Sequence, residues 1–416
     1  MSSTYKHQAD IIKADPKKCG LFLGTGSGKT RIALMLSKGS ILVIAPKTQK
    51  QDRNWEREAE KIKCKNKLRV MSKEEFRRDH ETLPRYDTVI GDEAHTLLGV
   101  MPNARYRKGK LIPQASQTYE AFDAYIKRTK PARIYLPTAT IMRSPMTVWA
   151  ASQILGKKLD FFKFRDRFYV RLPMPFREVY SPRSTPQNKD LLAKLVKSLG
   201  YVGRLDDFFD VPEQIWKTDY VELTAKQEAR IKRLPIEFPD PLVCTGKRHQ
   251  VENGVLSGNE YSESEFFENG KIEKILDYAI EFPRIVVFAK YRAQIEQITE
   301  ALRKAKKKVL VMTGDTKDRG ALLVEAAERK ECVFVCQAQI SAGWELKEYP
   351  VMIFASRSYE WVHFEQAKGR IQRADRIKKN LYIKLIARAK NSVDDAIDFA
   401  LENKQDFDER LYTKTI

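Results

Sequence analysis

Residues 19–36 constrain the chain more than any other stretch. An apolar run, Cys19-Gly-Leu-Phe-Leu23, passes through Gly24-Thr-Gly-Ser-Gly28 into Lys29, Thr30 and the helix-like Arg31-Ile-Ala-Leu-Met-Leu36. A strand that feeds a glycine-rich turn into a helix N-terminus leaves several backbone N–H groups unpaired and aimed one way. The positive end of the helix dipole stands behind them, so the turn is a seat for polyphosphate. Lys29 is positioned to reach the β- and γ-phosphates, and Thr30 to offer its hydroxyl to Mg²⁺. Leu23 stands where the general pattern has a glycine, so the match is to the shorter Thr-Gly-Ser-Gly-Lys-Thr form.

Charge narrows the partner. Lys and Arg number 76 against 55 Asp and Glu, a net charge of +21. A surplus of that size draws polyanions, and beside a phosphate seat it points to nucleic acid. With 42% hydrophobic and 31% charged residues in 416, the chain suits two ordinary domains with real cores. No stretch approaches the roughly 20 consecutive apolar residues of a membrane span. Residues 1–10 lack the apolar core of a signal peptide, so a cytoplasmic location is expected. The five cysteines are scattered, and Cys332 and Cys336 have no companion ligands, so no structural zinc is expected.

Apolar runs alternate with amphipathic ones in two parts of the chain. Strands are expected at Cys19–Leu23, Ile41–Ala45, Leu68–Met71, Thr88–Gly91 and Arg133–Leu136, with helices at Arg31–Ser37 and Gln51–Lys63. A second series is expected at Ile285–Ala289, Val309–Met312, Cys332–Val335, Val351–Ala355 and Leu381–Ile386, with helices between, including Trp361–Gln372. Such alternation predicts an α/β fold of two parallel-sheet lobes. The expected division is a first lobe over 1–150, a mainly helical insertion over 151–267 and a second lobe over 268–416. Tyr220–Leu223 reads as a strand that returns to the first sheet, and Ser257–Ser264 as a hinge.

Asp92-Glu-Ala-His95 follows the strand Thr88–Gly91. In a parallel sheet, carboxylates there sit beside the phosphate turn. Asp92 is expected to hold Mg²⁺, and Glu93 to polarise an attacking water as general base. Two basic stretches suggest grip on nucleic acid. Arg105-Tyr-Arg107-Lys-Gly-Lys110 lies in the loop after His95, and Lys157–Arg171 carries Phe161, Phe162, Phe164, Phe168 and Tyr169. Those rings suit either base stacking or a strand-separating wedge, or else a helix core, which their helical spacing favours.

The phosphate turn and the acidic box resemble superfamily 2 helicases, and further blocks resemble their SNF2-like branch. In family order these are Tyr5-Lys-His-Gln8, Ala45-Pro-Lys-Thr48 with Asn54-Trp-Glu56, Leu136-Pro-Thr-Ala-Thr-Ile141 with Trp149, and Phe161–Phe168. Then come Tyr220–Gln227, Gly270–Leu276, Ile285–Lys290, Gln339–Leu346 and Gln366-Ala-Lys-Gly-Arg370-Ile-Gln-Arg373.

The resemblance implies two RecA-like lobes with ATP in the cleft between them. Gln8, Thr25, Gly26, Ser27, Gly28, Lys29 and Thr30 would bind ATP, with Thr30 and Asp92 on Mg²⁺. Glu93, Gln366, Arg370 and Arg373 would act in hydrolysis, and His95, Thr138, Thr140 and Gly343 in coupling. Lys47, Thr48, Lys290 and Ser341, with Arg105 and Arg107, would contact DNA. The implied activity is an ATP-dependent DNA helicase or translocase on duplex or branched DNA, of the kind used in replication, recombination and repair. An RNA helicase and a DNA-binding ATP switch that clamps without moving are the alternatives. Three departures stand out: Thr-Ala-Thr followed by Ile141-Met-Arg143, Trp344-Glu345 in place of a second glycine, and no lysine soon after His95.

Overall fold

The apolar runs that lack any polar alternation become strands covered on both faces, which is what a parallel sheet between helix layers requires. The strands of the first unit are β1 (Lys18–Leu23), β2 (Ile41–Ala45), β3 (Leu68–Ser72), β4 (Thr88–Gly91), β5 (Arg133–Pro137) and β6 (Gly200–Gly203). They pair in the order β6-β1-β5-β4-β2-β3, all parallel. The second unit holds β7 (Gln214–Glu222), β8 (Arg284–Ala289), β9 (Val309–Met312), β10 (Cys332–Gln337), β11 (Val351–Phe354) and β12 (Asn380–Arg388). Their order is β7-β12-β11-β8-β10-β9, again all parallel. This computed structural model describes residues 4–107, 109–172, 178–258, 263–340, 344–372 and 379–403.

Side-chain alternation sends successive residues of each strand to opposite faces. Leu42 and Ile44 join one core with Phe122 and Tyr125 of the helix Gln117–Thr129. Ile41 and Val43 join the other with Ile32 and Leu36 of the helix Lys29–Leu36 and with Trp55. The second sheet repeats the arrangement, with Phe288 and Phe354 on one face and Val287 and Ile353 on the other. Among the described residues no helix is long and apolar enough to cross a membrane.

The chain divides at Phe209/Asp210, which corrects the expected three-part division. The stretch 151–267 is no separate insertion. Its first part belongs to the first unit, because Phe161, Phe164, Phe168, Leu192 and Val196 fill the same core as Trp149. Its second part belongs to the second unit. The strand containing Tyr220 pairs with β12 along its whole length instead of returning to the first sheet. The first sheet is closed by β6, a glycine-flanked strand too short to signal itself. The expected hinge, Ser257–Ser264, falls inside the second unit, where the strands Val255–Leu256 and Glu265–Phe266 on either side of it pair antiparallel; its residues 259–262 lie outside the described residues. The helix expected over Gln51–Lys63 is two, Lys47–Gln51 and Asn54–Lys61, parted by Arg53 at φ 50. The expected helix Trp361–Gln372 ends at Lys368.

Two antiparallel hairpins stand outside the parallel sheet of the first unit: Val100–Arg107 with Lys110–Ala115, and Tyr169–Leu172 with Val179–Pro182. The basic stretch expected as a loop after His95 is therefore a β-ribbon. Of the five rings weighed as stackers, wedge or core, four take the core role that their helical spacing favoured: Phe161, Phe164, Phe168 and Tyr169 are buried, and Phe162 packs partly buried against them.

A buried polar knot ties the helices Pro241–Glu252, Gly270–Glu281 and Val393–Glu402 of the second unit to its sheet. Lys271 Nζ donates to Asn253 Oδ1 (2.7 Å), to the Ala355 carbonyl (2.9 Å) and to Asp394. His249 meets Asp394 through Nε2 (2.9 Å) and accepts from the Tyr291 hydroxyl at Nδ1 (2.6 Å). Burial drives the His249 pKa down to about 4, against a smaller upward pull from Asp394. The folded protein thus keeps this imidazole neutral where the unfolded chain, near pKa 6.5, takes up a proton. Its contribution is whole above about pH 6.5 and is lost as pH falls through 4, on the order of 3 kcal/mol. Urea titrations at pH 7, 5.5 and 4, followed by hydrogen exchange of the Asn380–Arg388 strand, should show that loss. His249→Gln should flatten it, and an equal acid slope in both proteins would remove the histidine as its source.

Candidate nucleotide site

Strand order assembles the site. Because β5 lies between β1 and β4, the loops leaving their carboxyl ends are neighbours: 24–28 after β1, 138–140 after β5 and 92–95 after β4. The ladder extends into these loops, with Asp92 N donating to the Ile44 carbonyl (2.8 Å) and Thr138 N to Leu21 (3.1 Å). Open α/β sheets bind ligands at this edge.

The glycine turn adopts the conformation its residues permit. Gly26 and Gly28 sit at φ 86 and 83, where a side chain is strained. Gly28 is also pressed by Gln8, whose amide nitrogen would collide with a Cβ there. Gln8 is buried. It donates to the Ser27 carbonyl (3.1 Å) and accepts from Tyr5 N (3.3 Å), so both ends of its amide hold protein backbone. His7 reaches the same carbonyl at 2.9 Å. Ser27 Oγ donates to the Gly24 carbonyl at 2.8 Å. Lys29, the first residue of its helix, folds back so that Nζ donates to the carbonyls of Leu23 (2.9 Å) and Gly24 (3.0 Å). Thr30 follows it in the first turn.

Opposite stand the carboxylates. Trp55 Nε1 donates to Asp92 Oδ2 and Glu93 N to Asp92 Oδ1, both at 2.9 Å. Burial first, then the charge of Glu93, raises the Asp92 pKa to about 6, against smaller downward pulls from the Trp55 N–H, the Glu93 N–H and Lys29, in that order. Glu93 occupies the left-handed region at φ 45, a costly conformation for a side-chain-bearing residue. Its Oε2 is buried, 3.5 Å from His95 Nδ1, with no hydrogen bond among the described residues. That same His95 nitrogen lies 2.9 Å from Thr138 Oγ1 and 3.0 Å from Thr140 Oγ1. An imidazole therefore links the acidic box to both threonines of the neighbouring loop. A desolvated carboxylate and an orphaned carboxylate oxygen beside a phosphate turn fit a hydrated divalent cation, with Thr30 and Asp92 as the residues to hold it.

Two contributors escaped the sequence. Trp55 was legible as part of a family block, but nothing in its spacing announced a bond to Asp92. Lys73 begins the helix after β3 and bonds Thr96 Oγ1; burial lowers its pKa, and the charges of Glu93 and Asp92 counter that only in part. It supplies from elsewhere a cation that the segment after His95 lacks.

The remaining expected residues are spread over the two units. In the second, Gln366 is buried, and Arg370 is buried with Nε on the Gln366 carbonyl (2.9 Å) and Nη1 on that of Trp344 (2.6 Å). Trp344 is a core residue against Phe288, which explains why no glycine stands there. Lys290 follows β8, its ammonium against the rings of Tyr359 and Tyr291. Ser341, Gly343 and Arg373 lie outside the described residues. In the first unit, Lys47 and Thr48 open the short helix after β2, and Lys47 is exposed. Arg105 pairs with Glu120, and Arg107 is exposed on its hairpin.

Residues 270–375 match the helicase conserved C-terminal domain. No curated protein matches this chain. Among solved structures, similarity is found to the helicase domain of Hef from Pyrococcus furiosus, with a TM-score of 0.49 and 16% identity, covering 96% of this chain and 98% of that one.

The geometry makes Trp55 a positioning residue for Asp92. Trp55→Phe keeps the ring and removes the N–H, leaving a buried carboxylate oxygen without its donor. Affinity for a fluorescent Mg²⁺-nucleotide should fall by about tenfold or more, while affinity measured in EDTA changes little. An unaltered Mg²⁺ dependence would break the proposed tie.

Proposed function

We propose that this chain is a nucleic-acid-dependent ATPase of the SNF2-like type: a DNA helicase or translocase that converts ATP and water to ADP and phosphate while moving on duplex or branched DNA. Strand displacement or branch migration would be its output. The observation that carries the reading is His95, held within 3.0 Å of Thr138 and Thr140 and 3.5 Å from Glu93. A plain hydrolase or kinase has no need to join its acidic box to a separate loop through a buried imidazole. A motor does, because the state of the nucleotide must be felt elsewhere. The helicase C-terminal match over 270–375 and the net charge of +21 support the same conclusion.

In this reading the loop amides of residues 25–30 and the Lys29 ammonium bind the phosphates, Lys29 exchanging the Leu23 and Gly24 carbonyls for phosphate oxygens. Thr30 and Asp92 hold Mg²⁺, which when bound offsets charge on the phosphates. Glu93 takes the proton of the attacking water, and its unpaired Oε2 is the acceptor. Arg370 and Arg373 stabilise charge on the transferred phosphoryl group, with Gln366 beside them in sequence. Loss or gain of charge at Glu93 alters its neighbour His95, and the hydroxyls of Thr138 and Thr140 re-orient with it. Lys47, Thr48, Lys290, Ser341, Arg105 and Arg107 are the proposed contacts to the DNA backbone.

The reading is tested by ATPase rates on blunt duplex, forked and three-way DNA and on RNA of matched sequence. Acceleration by duplex or branched DNA is expected. Acceleration by RNA alone would make the enzyme an RNA helicase, and no acceleration at all would reduce it to a clamp. Glu93→Gln should bind ATP normally and hydrolyse it about 10²- to 10⁴-fold more slowly, whereas Lys29→Ala should lose nucleotide affinity. Thr138→Val with Thr140→Val should keep basal hydrolysis and lose DNA stimulation. A double variant stimulated like the parent would take the coupling role from these threonines.

A further inference from the structure

The two hairpins of the first unit enclose a cleft of about 670 Å³ away from the nucleotide loops. The size falls within the range of about 300–1,000 Å³ typical of ligand sites. Rings and guanidinium groups line it. Tyr106 and Leu111 come from one hairpin, Arg171, Tyr180 and Arg183 from the other hairpin and the residue beyond its end, and Phe162 and Arg165 from the helix Phe161–Phe168. The hairpins are tied by Asn103 Nδ2 donating to the Glu178 carbonyl at 2.9 Å.

Its chemistry selects one class of ligand. The Arg165 guanidinium lies 5.2 Å from the Phe162 ring centre and 5.0 Å from that of Tyr180, one tier of a cation–π stack. Tyr106, at the rim, is 80% exposed and serves no core. The two acids of the lining are answered by neighbours, Asp166 by Arg165 at 2.8 Å and Glu178 by Arg171 at 3.2 Å. Residues 100–115 and 157–183 together carry twelve Lys and Arg against Asp160, Asp166 and Glu178, a net +9 within the chain's +21. Strong positive charge asks for a polyanion. Exposed and half-exposed rings in a concavity ask for flat apolar faces, which an unpaired strand offers and a duplex keeps stacked inside.

We propose that this cleft binds one or two unpaired nucleotides of a DNA strand, with bases against Tyr106 and Tyr180 and phosphates against Arg171 and Arg183. The proposal rests on the reading of the chain as a DNA motor and gives that motor a second, single-strand site outside its parallel sheets. A site of this kind would hold a strand exposed at a fork or branch.

The test titrates the full chain with a labelled oligodeoxythymidylate and with a blunt duplex, by fluorescence anisotropy. The variants are Tyr106→Ala, Tyr106→Phe and Tyr180→Ala, each checked by thermal melting, and duplex-stimulated ATPase is measured alongside. Stacking predicts that Tyr106→Ala weakens oligonucleotide binding about 5- to 150-fold, that Tyr106→Phe keeps it, and that duplex affinity is unchanged. Tyr180→Ala should weaken the oligonucleotide likewise. Tyr106 is exposed, so its variants stay informative even if Tyr180→Ala unfolds. Unchanged oligonucleotide affinity in Tyr106→Ala overturns the proposal. So does an equal loss on oligonucleotide and duplex, which marks a backbone track. If duplex still stimulates hydrolysis in either case, only the cleft is lost. If no nucleic acid binds or stimulates the parent protein, the cleft and the motor reading fall together.

Discussion

The parallel pairing of β5 between β1 and β4 is the constraint on which the candidate site depends. Parallel strands align their carboxyl ends, so the glycine turn, the Thr138 loop and the Asp92 box meet at one edge with no further device. Neighbouring groups then settle by simple electrostatics. Asp92 is dry and faces a second carboxylate, so it needs the Trp55 N–H and the Glu93 N–H. His95 finds two hydroxyls because β5 ends where it does, after Pro137. A one-residue slip in the β1–β5 register would turn Thr138 away and break its contact with the imidazole.

Most of the fold was legible because buried parallel strands carry a crude signal: a short, uninterrupted apolar run. All ten strands expected at Cys19–Leu23 through Leu381–Ile386 occur, with ends shifted by no more than a few residues. What failed to read were strands whose burial is one-sided or slight. Gly200-Tyr-Val-Gly203 is short, follows a helix without a break and owes its place to close pairing with Gly20. The strand holding Tyr220 was visible, but its sheet was not, because Ile215, Trp216 and Tyr220 stay partly exposed at an edge. The basic ribbon at Arg105 was masked by its charge, since exposed hairpins need no apolar alternation.

The site divided along similar lines. Gly26, Gly28, Lys29, Thr30, Asp92 and Glu93 could be singled out from sequence because the proposed chemistry needs fixed residues at fixed spacing. Trp55 and Lys73 act across the sheet, on residues 37 and 23 positions away, and no local pattern encodes such distances. Aromatic residues were the ambiguous class. Phe161, Phe164 and Phe168 share one face of their helix and are core, while Phe162, turned to the other side, reaches the cleft. Helical spacing thus separated core from surface within one run of sequence.

Lys29 and Asp92 describe two halves of one waiting arrangement. The ammonium is drawn back onto the carbonyls of Leu23 and Gly24, and the carboxylate is held dry with its negative charge disfavoured. In the proposed reading both would suit a Mg²⁺-polyphosphate, whose anionic oxygens match the ammonium and whose cation matches the carboxylate. In that reading part of the binding free energy would be spent on turning Lys29 outward, a compromise between affinity and release. A motor loop that released product and re-formed the carbonyl bonds in each cycle would gain from that compromise.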